Sequence, residues 1–128
     1  MYEFNVTLDQ PFDQAIETVR AALMEEHLGL VSEVNVQAIL QAKMNKTIRP
    51  YRIFGACNPG LGDRVITAEP NAGTLLPCSF VMREEEDGKV VVSFMDPECV
   101  LSLSSSDEVR QVGIEAKVKL QRVVAKLS

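Results

Sequence analysis

The sequence of 128 residues contains no tryptophan, two tyrosines and a single histidine. Aromatic side chains that could stack on the bases of a single-stranded nucleic acid are therefore scarce. Its 13 lysines and arginines are scattered and are outnumbered by 18 acidic residues, which gives a net charge of −5. Because a nucleic-acid backbone attracts clustered basic side chains, we expect no nucleic-acid partner.

Long apolar runs are also absent, and none approaches the roughly 18 residues that a membrane span requires. The first ten residues, MYEFNVTLDQ, carry acids and alternate between apolar and polar, unlike a targeting segment. We therefore predict a cytoplasmic protein with no membrane partner. Three cysteines form an odd and sparse set, which predicts free thiols in a reducing compartment.

The apolar residues present, 46% of the chain, are enough for a hydrophobic core, and we predict one domain over residues 1–128. Alternation over residues 2–8 predicts a strand with one buried face. Asp87-Gly88 lies between two apolar runs and predicts a β-hairpin. The sequence thus predicts an α+β fold, an antiparallel sheet with helices packed on one face.

Residues that favour helix N-caps precede each helical stripe: Asp9 or Gln10, Asn35, Asn58, and Ser105. Glu108, three residues after Ser105, completes a predicted capping box. Gly29 is predicted to end the first helix. The last helix is predicted to bury the stripe Val109, Val112, Ala116, Leu120, Val123 and Leu127.

The segment YRIFGACNPG, residues 51–60, places Cys57 where a strand is predicted to become a helix. A thiol beside free amides and the positive end of a helix dipole favours the thiolate and has a lowered pKa. The same amides could hold a carboxylate or a phosphate. The alternative is a buried cysteine that packs as a small apolar residue, with Gly55 small because another segment crosses closely.

Cys78 lies on the apolar face of the next predicted strand, and Pro77 indicates an edge position or a bulge there. The two cysteines could pair or share a metal ion, but no Cys-x-x-Cys spacing supports a metal site, and none is predicted. The only histidine, His27, suits the end of the first helix better than metal ligation or acid–base chemistry.

Three blocks in order, RPYRIFGACNP, AEPNAGTLLPCSFVM and VVVSFMDPE, together with NVQAILQAKMN, resemble the domain-of-unknown-function family numbered 302. The resemblance covers almost the whole chain. It implies a small bacterial or archaeal domain with an arrangement similar to the TATA-box-binding protein, and no established biochemical role. The pattern that it carries over consists of Cys57, Asn58, Pro59, Pro77, Cys78, Asp96 and Pro97.

Members of this family often have a histidine in a segment like Ala-His-Arg shortly after the Asn-Pro pair. Here Gly62-Asp63-Arg64 occupies that place, so Asp63 would have to substitute for the histidine. This departure argues against a histidine–cysteine metal site in this chain. The candidate ligand-binding residues are Cys57, Asn58, Asp63 and Cys78.

Three functions remain open at this point. The first is a binding module whose elbow around Cys57 takes a small anion, a thiol-reactive species or a soft metal ion. The second is a thiol-dependent enzyme or redox protein that uses Cys57, for which no catalytic partner and no cofactor can be named. The third is a structural homodimer without a small-molecule site. A homodimer is expected in any case, because pairing covers exposed strand edges.

Overall fold

The computed structural model describes all 128 residues. In chain order the elements are β1 (Glu3–Leu8), α1 (Phe12–Glu25), β2 (Gly29–Asn35), α2 (Val36–Met44), β3 (Tyr51–Cys57), α3 (Pro59–Ala68), a 3₁₀ helix (Pro70–Leu75), β4 (Cys78–Glu84), β5 (Val90–Met95), α4 (Pro97–Leu101) and α5 (Asp107–Leu127). None of the helices has the length and apolar character needed to cross a lipid bilayer.

The strands form one five-stranded sheet in the order β1-β5-β4-β3-β2. Every neighbouring pair is antiparallel, which confirms the predicted sheet. The hairpin between β4 and β5 is closed by the Glu85 amide, which donates to the Lys89 carbonyl at 2.8 Å. Gly88 in this turn has a φ of 84°, a conformation that glycine adopts without strain.

The main core lies between one face of the sheet and the helices α1 and α5. Three phenylalanines from adjacent strands form its centre. The ring centroids of Phe54 and Phe80 are 5.0 Å apart, and those of Phe80 and Phe94 are 5.2 Å apart. The burial of an apolar stripe on each long helix explains why both pack here. The arrangement similar to the TATA-box-binding protein stays a prediction.

A second, smaller core lies among α3, the 3₁₀ helix, α4 and α5. Its buried members are Val65, Ala72, Leu101, Val109 and Val112. Val65 is the one fully buried residue of α3, so this helix is held mainly against α5. The smaller core thereby positions α3 beside the end of β3.

Three predicted helix ends need correction. Pro11 itself occupies the N-cap of α1, and no side chain caps this helix, because proline has no side-chain acceptor. His27, with a φ of 60°, takes the left-handed position after α1 that Gly29 was predicted to take. The amide of the following Leu28 donates to the Leu23 carbonyl at 3.0 Å, as in a Schellman motif.

The cap of α5 is Ser106, whose hydroxyl accepts from the Val109 amide at 3.3 Å. The prediction of Ser105 was wrong by one residue, since neighbouring serines offer the same hydroxyl. The predicted caps at Asn35 and Asn58 are confirmed by bonds from the Ala38 and Leu61 amides.

Pro77 was predicted to mark a sheet edge or a bulge, and this was wrong. It lies just before β4, a central strand that begins at Cys78. Proline, which has no backbone N–H to donate, is tolerated there because the hydrogen-bond ladder of β4 has not yet begun. A side chain at Gly55 would overlap with Pro77 and Ser32, so the close crossing expected at Gly55 is present.

Candidate functional site

The register of β3 and β4 brings two cysteines to the same end of the sheet. Ala56 lies directly opposite Cys78, and Cys57 is the next residue along β3. Both cysteines line one small cavity of about 20 Å³. Two thiols from segments that are distant in the sequence therefore line the same cavity.

Apolar side chains make up most of the cavity wall. They come from the loop after α1, from α3, from the segment before β4, from α4 and from α5: Leu28, Leu61, Leu76, Leu101, Val112 and Ala116. The only polar side chain besides the thiols is Asn58. A volume of this size exceeds the roughly 10–15 Å³ that one water molecule needs, so the cavity has room for a guest of about one atom.

Asn58 holds the entrance of α3 with both ends of its side-chain amide. Its Oδ1 accepts from the Leu61 amide at 3.1 Å, which caps the helix. Its Nδ2 donates to the His27 carbonyl at 3.1 Å, which ties α3 to the turn after α1. One side chain thus fixes two of the segments that surround the cavity.

The Cys57 thiol lies between the backbone of Asn58 and helix α3. Its Sγ donates to the Asn58 carbonyl, with a sulfur–oxygen distance of 3.5 Å. A Cβ added at Gly62 would lie 3.1 Å from this sulfur, so only glycine leaves the thiol its full space there. The residue at position 62 therefore sets how close α3 comes to the thiol.

Burial raises the pKa of the Cys57 thiol above its usual value. The expectation of a lowered pKa at this elbow was wrong for two reasons. The Leu61 and Gly62 amides already donate to the side chain and the carbonyl of Asn58, so they are not free to stabilise a thiolate. The apolar wall removes water from the sulfur, which penalises the charged form.

Cys78 is the more deeply buried of the two thiols in the cavity. Burial, followed by the repulsion expected from a charged Cys57, raises the pKa of Cys78 to about 11. At neutral pH both thiols are protonated, and the cavity is uncharged.

Helix α3 is fastened to α5 by an ion-pair network, which we call the Arg64 clamp: Arg64, Glu108 and Glu115. The two Arg64 Nη atoms donate to the two Glu115 carboxylate oxygens at 2.9 Å each, and Nε donates to Glu108 at 3.0 Å. Val112, a wall residue, lies between the two glutamates on the same face of α5. The clamp therefore joins two walls of the cavity.

Two residues considered from the sequence lie outside this cavity. Asp63 is exposed on α3, and its carboxylate accepts from the Thr67 hydroxyl at 3.3 Å. It points away because one helical step of about 100° separates it from Gly62. His27 is exposed and contributes its backbone carbonyl, not its ring, to the surroundings of the site.

Asp96 has a structural role next to the cavity. Its carboxylate accepts from the Glu98 and Cys99 amides and pairs with Lys117 Nζ at 2.9 Å. These bonds begin α4, whose Leu101 forms part of the cavity wall. The structure contains no group of three or more histidine, cysteine or acidic side chains arranged to hold a metal ion.

Sequence reasoning did not identify Gly62, the Arg64 clamp or the α5 wall as parts of this site. The α5 stripe was predicted as apolar, but its contact with the cysteines depends on tertiary packing. A glutamate pair spaced by two helical turns, with an arginine elsewhere in the chain, was the only available signal for the clamp.

The five-stranded antiparallel sheet with its helices defines a small α+β protein with a two-thiol cavity at one end of the sheet. The chain belongs to the family described as Domain of unknown function DUF302, whose model matches residues 4–127. No curated protein matches the sequence.

A similar solved structure is the crystal structure of an uncharacterized conserved protein DUF302 from Bacillus stearothermophilus. It is 21% identical, has a TM-score of 0.89, and the match covers 100% of this chain and 99% of that chain. At this identity the likeness supports the fold alone.

Proposed function

We propose that this protein is a binding module that holds one soft, monovalent metal ion of the Cu(I) type between Cys57 and Cys78. The observation that carries the proposal is the convergence of two thiols on one small cavity with otherwise apolar walls. Thiolate sulfur is the ligand that soft ions prefer. Within the cavity, no other side chain competes with sulfur for such an ion.

The size of the cavity favours an ion over a molecule. About 20 Å³ accommodates a single atom but not a phosphate, a carboxylate or an organic substrate. A small anion is further disfavoured because no cationic side chain lines the wall. A neutral or weakly charged complex suits this environment better than an unpaired anion.

The number of ligands favours a monovalent ion over zinc. Structural zinc sites have four protein ligands, whereas this cavity offers two sulfurs. A monovalent ion bound by two thiolates leaves one negative charge in the cavity, less than the two bare thiolates would carry.

The competing enzymatic function is less well supported. A nucleophilic cysteine needs a thiolate near neutral pH, and burial raises the pKa of both thiols. No histidine or carboxylate lines the cavity to act as a base. A metal ion, in contrast, displaces the protons when it binds, so protonated thiols lower the apparent affinity without preventing binding.

Titration calorimetry with Ag(I), an air-stable ion with the same charge and softness, tests the proposal. We expect one equivalent to bind to Cys99→Ser, in which only the exposed thiol outside the cavity is changed, and any further equivalent bound by the wild type to be lost with Cys99. Cys57→Ser and Cys78→Ser should each lose that site. Because two protons leave, the apparent affinity should rise by about 100-fold per pH unit near neutral pH.

Each alternative has its own signature. Binding that survives in Cys57→Ser and Cys78→Ser but disappears in Cys99→Ser would place the ion on the exposed thiol and contradict the proposal. An affinity that rises only about tenfold per pH unit indicates that one thiol is displaced, and would contradict the two-sulfur site. Absence of binding in the wild type would contradict it outright.

A further inference from the structure

Helix α3 has a glycine in its interior, Gly62, that the backbone itself does not require. Its φ is not in the left-handed region, so an alanine can adopt the same helical conformation. Inside a helix, alanine is more favourable than glycine because the chain loses less freedom on folding. The space beside Gly62 therefore has to explain why a glycine is found there.

The empty space beside Gly62 belongs to the two-thiol cavity. A Cβ added at this position would lie 3.1 Å from Cys57 Sγ and, apart from its chain neighbours and its own helix backbone, would meet no other heavy atom within 4 Å. A Cβ added at Gly113 of α5, in contrast, would lie 2.7 Å from the Pro97 carbonyl oxygen. Gly113 thus lets two helices approach each other, whereas Gly62 leaves open space beside a thiol.

We infer that Gly62 determines which guest the cavity admits: one bare ion coordinated by two sulfurs, without a third ligand. This inference rests on the proposed metal site and specifies the class of ion that it takes. A space of about 20 Å³ holds one atom, so an ion that kept a small thiol or an imidazole from solution would not fit. The ion must therefore enter with its former ligands removed.

Ion binding does not require the backbone at position 62 to move. The Asn58 carbonyl accepts from the Gly62 amide at 2.9 Å and from the Cys57 thiol at 3.5 Å. When the ion displaces the thiol proton, the carbonyl loses the longer of these bonds and keeps the bond from the amide. An alanine retains that amide, so Gly62→Ala adds one methyl group to the cavity and keeps this hydrogen bond.

Calorimetric titration of Ag(I) into matched variants tests the inference, with Cys99→Ser as the common background so that only the cavity thiols remain. We expect Gly62→Ala to lower the apparent affinity by about 10–100-fold, as for an extra carbon in a filled site. Gly73→Ala is the control and should bind as tightly as the background, because its added Cβ would meet only Ile66, at 3.7 Å. Urea denaturation without Ag(I) should show no loss of stability in Gly62→Ala, since the Cys57 thiol can shift into the empty cavity.

The class of ion has a test of its own. Ag(I) supplied as its complex with N-acetylcysteine should transfer as the bare ion, and the released small thiol should take up one of the two displaced cysteine protons. Native mass spectrometry of the Cys99→Ser protein should then show one bound silver ion, the loss of two protons and no adduct of the small thiol. A species that retains N-acetylcysteine would overturn the assignment of a bare, two-coordinate ion.

The outcomes separate this inference from the metal site itself. Equal Ag(I) affinity in Gly62→Ala and the background would overturn the inference and leave the metal site standing. No binding in the background would overturn both. Gly62→Ser adds a similar group and is a second variant, so that a folding failure of one does not decide the result. Weaker binding that tracks an equal loss of unfolding free energy in both variants would show damage to the fold and would also contradict the inference.

Discussion

The side-chain amide of Asn58 makes two hydrogen bonds beside the cavity, one as an acceptor and one as a donor. Oδ1 caps α3 through the Leu61 amide, and Nδ2 holds the His27 carbonyl. An aspartate at this position keeps the accepting oxygen but loses the donor, and an alanine loses both. The two hydrogen bonds can therefore be separated by substitution.

We predict that Asn58→Ala lowers the free energy of unfolding by about 1–2 kcal/mol, as for other lost N-caps. Asn58→Asp should have a smaller effect, because the cap remains and a negative charge suits a helix N-terminus. Urea denaturation of the three proteins gives the order. An aspartate variant as unstable as the alanine variant would show that the bond to His27, and not the cap, is dominant.

The raised pKa of Cys78 predicts how the free energy of unfolding changes at alkaline pH. Its pKa is about 11 in the folded protein and near 9.0 in an ordinary environment. The folded state therefore retains a proton that the unfolded state loses, so the free energy of unfolding falls as pH rises from about 9 to about 11. Below pH 9 the thiol is protonated in both states and contributes no pH dependence.

We expect this titration to account for about 2–3 kcal/mol of the alkaline loss of stability. Cys78→Ala should flatten the decline between pH 9 and 11, whatever its effect at pH 7. Cys99→Ala, at an exposed thiol, should leave the slope unchanged. Chemical denaturation at each pH measures the slopes, and identical slopes in all three proteins would contradict the assignment.

Helix α3 is a thinly buried wall of the cavity. Its single fully buried residue is Val65, and the Arg64 clamp joins its outer side to α5. Partly exposed ion pairs contribute little to global stability but can hold a segment in place. We therefore expect the clamp to control access to the cavity more than it controls folding.

We predict that Arg64→Gln increases the rate of Cys57 alkylation several-fold while lowering the free energy of unfolding by no more than about 1 kcal/mol. Arg20→Gln, which removes a 3.6 Å pair with Glu17 on α1, is the control and should leave the rate unchanged. Peptide mapping by mass spectrometry after timed labelling measures the rate at each cysteine. Unchanged labelling of Cys57 in Arg64→Gln would show that the clamp does not close the cavity.

The elements with strong local signals were predictable from the sequence. The caps at Asn35 and Asn58, the hairpin at Asp87-Gly88 and the α5 stripe each depend on residues that are close in the chain. Helix ends without a unique local signal were not predictable from the sequence. Several adjacent serines precede α5, and the left-handed residue after α1 is His27, not the glycine two residues further on.

The cavity could be predicted only in part. Cys57 and Cys78 were identified as a candidate pair, but their convergence depends on the register that sets Ala56 opposite Cys78. The direction of the Cys57 pKa depends on which amides are already bonded and on walls contributed by α4 and α5. These are long-range properties, and no local pattern encodes them.

On the scale of the whole molecule, the two cores and the two faces of the sheet divide its properties. One face and its helices supply the main core, and the end of the sheet supplies the two-thiol cavity.

The central claim is that Cys57 and Cys78 bind one soft ion inside the cavity. Anomalous diffraction from crystals of the wild-type protein soaked in Ag(I) tests it most directly. The account predicts one dominant anomalous peak between the sulfurs of Cys57 and Cys78, bounded by Leu61 and Val112. A dominant peak at the exposed Cys99, or an empty cavity at full Ag(I) saturation, would contradict the account.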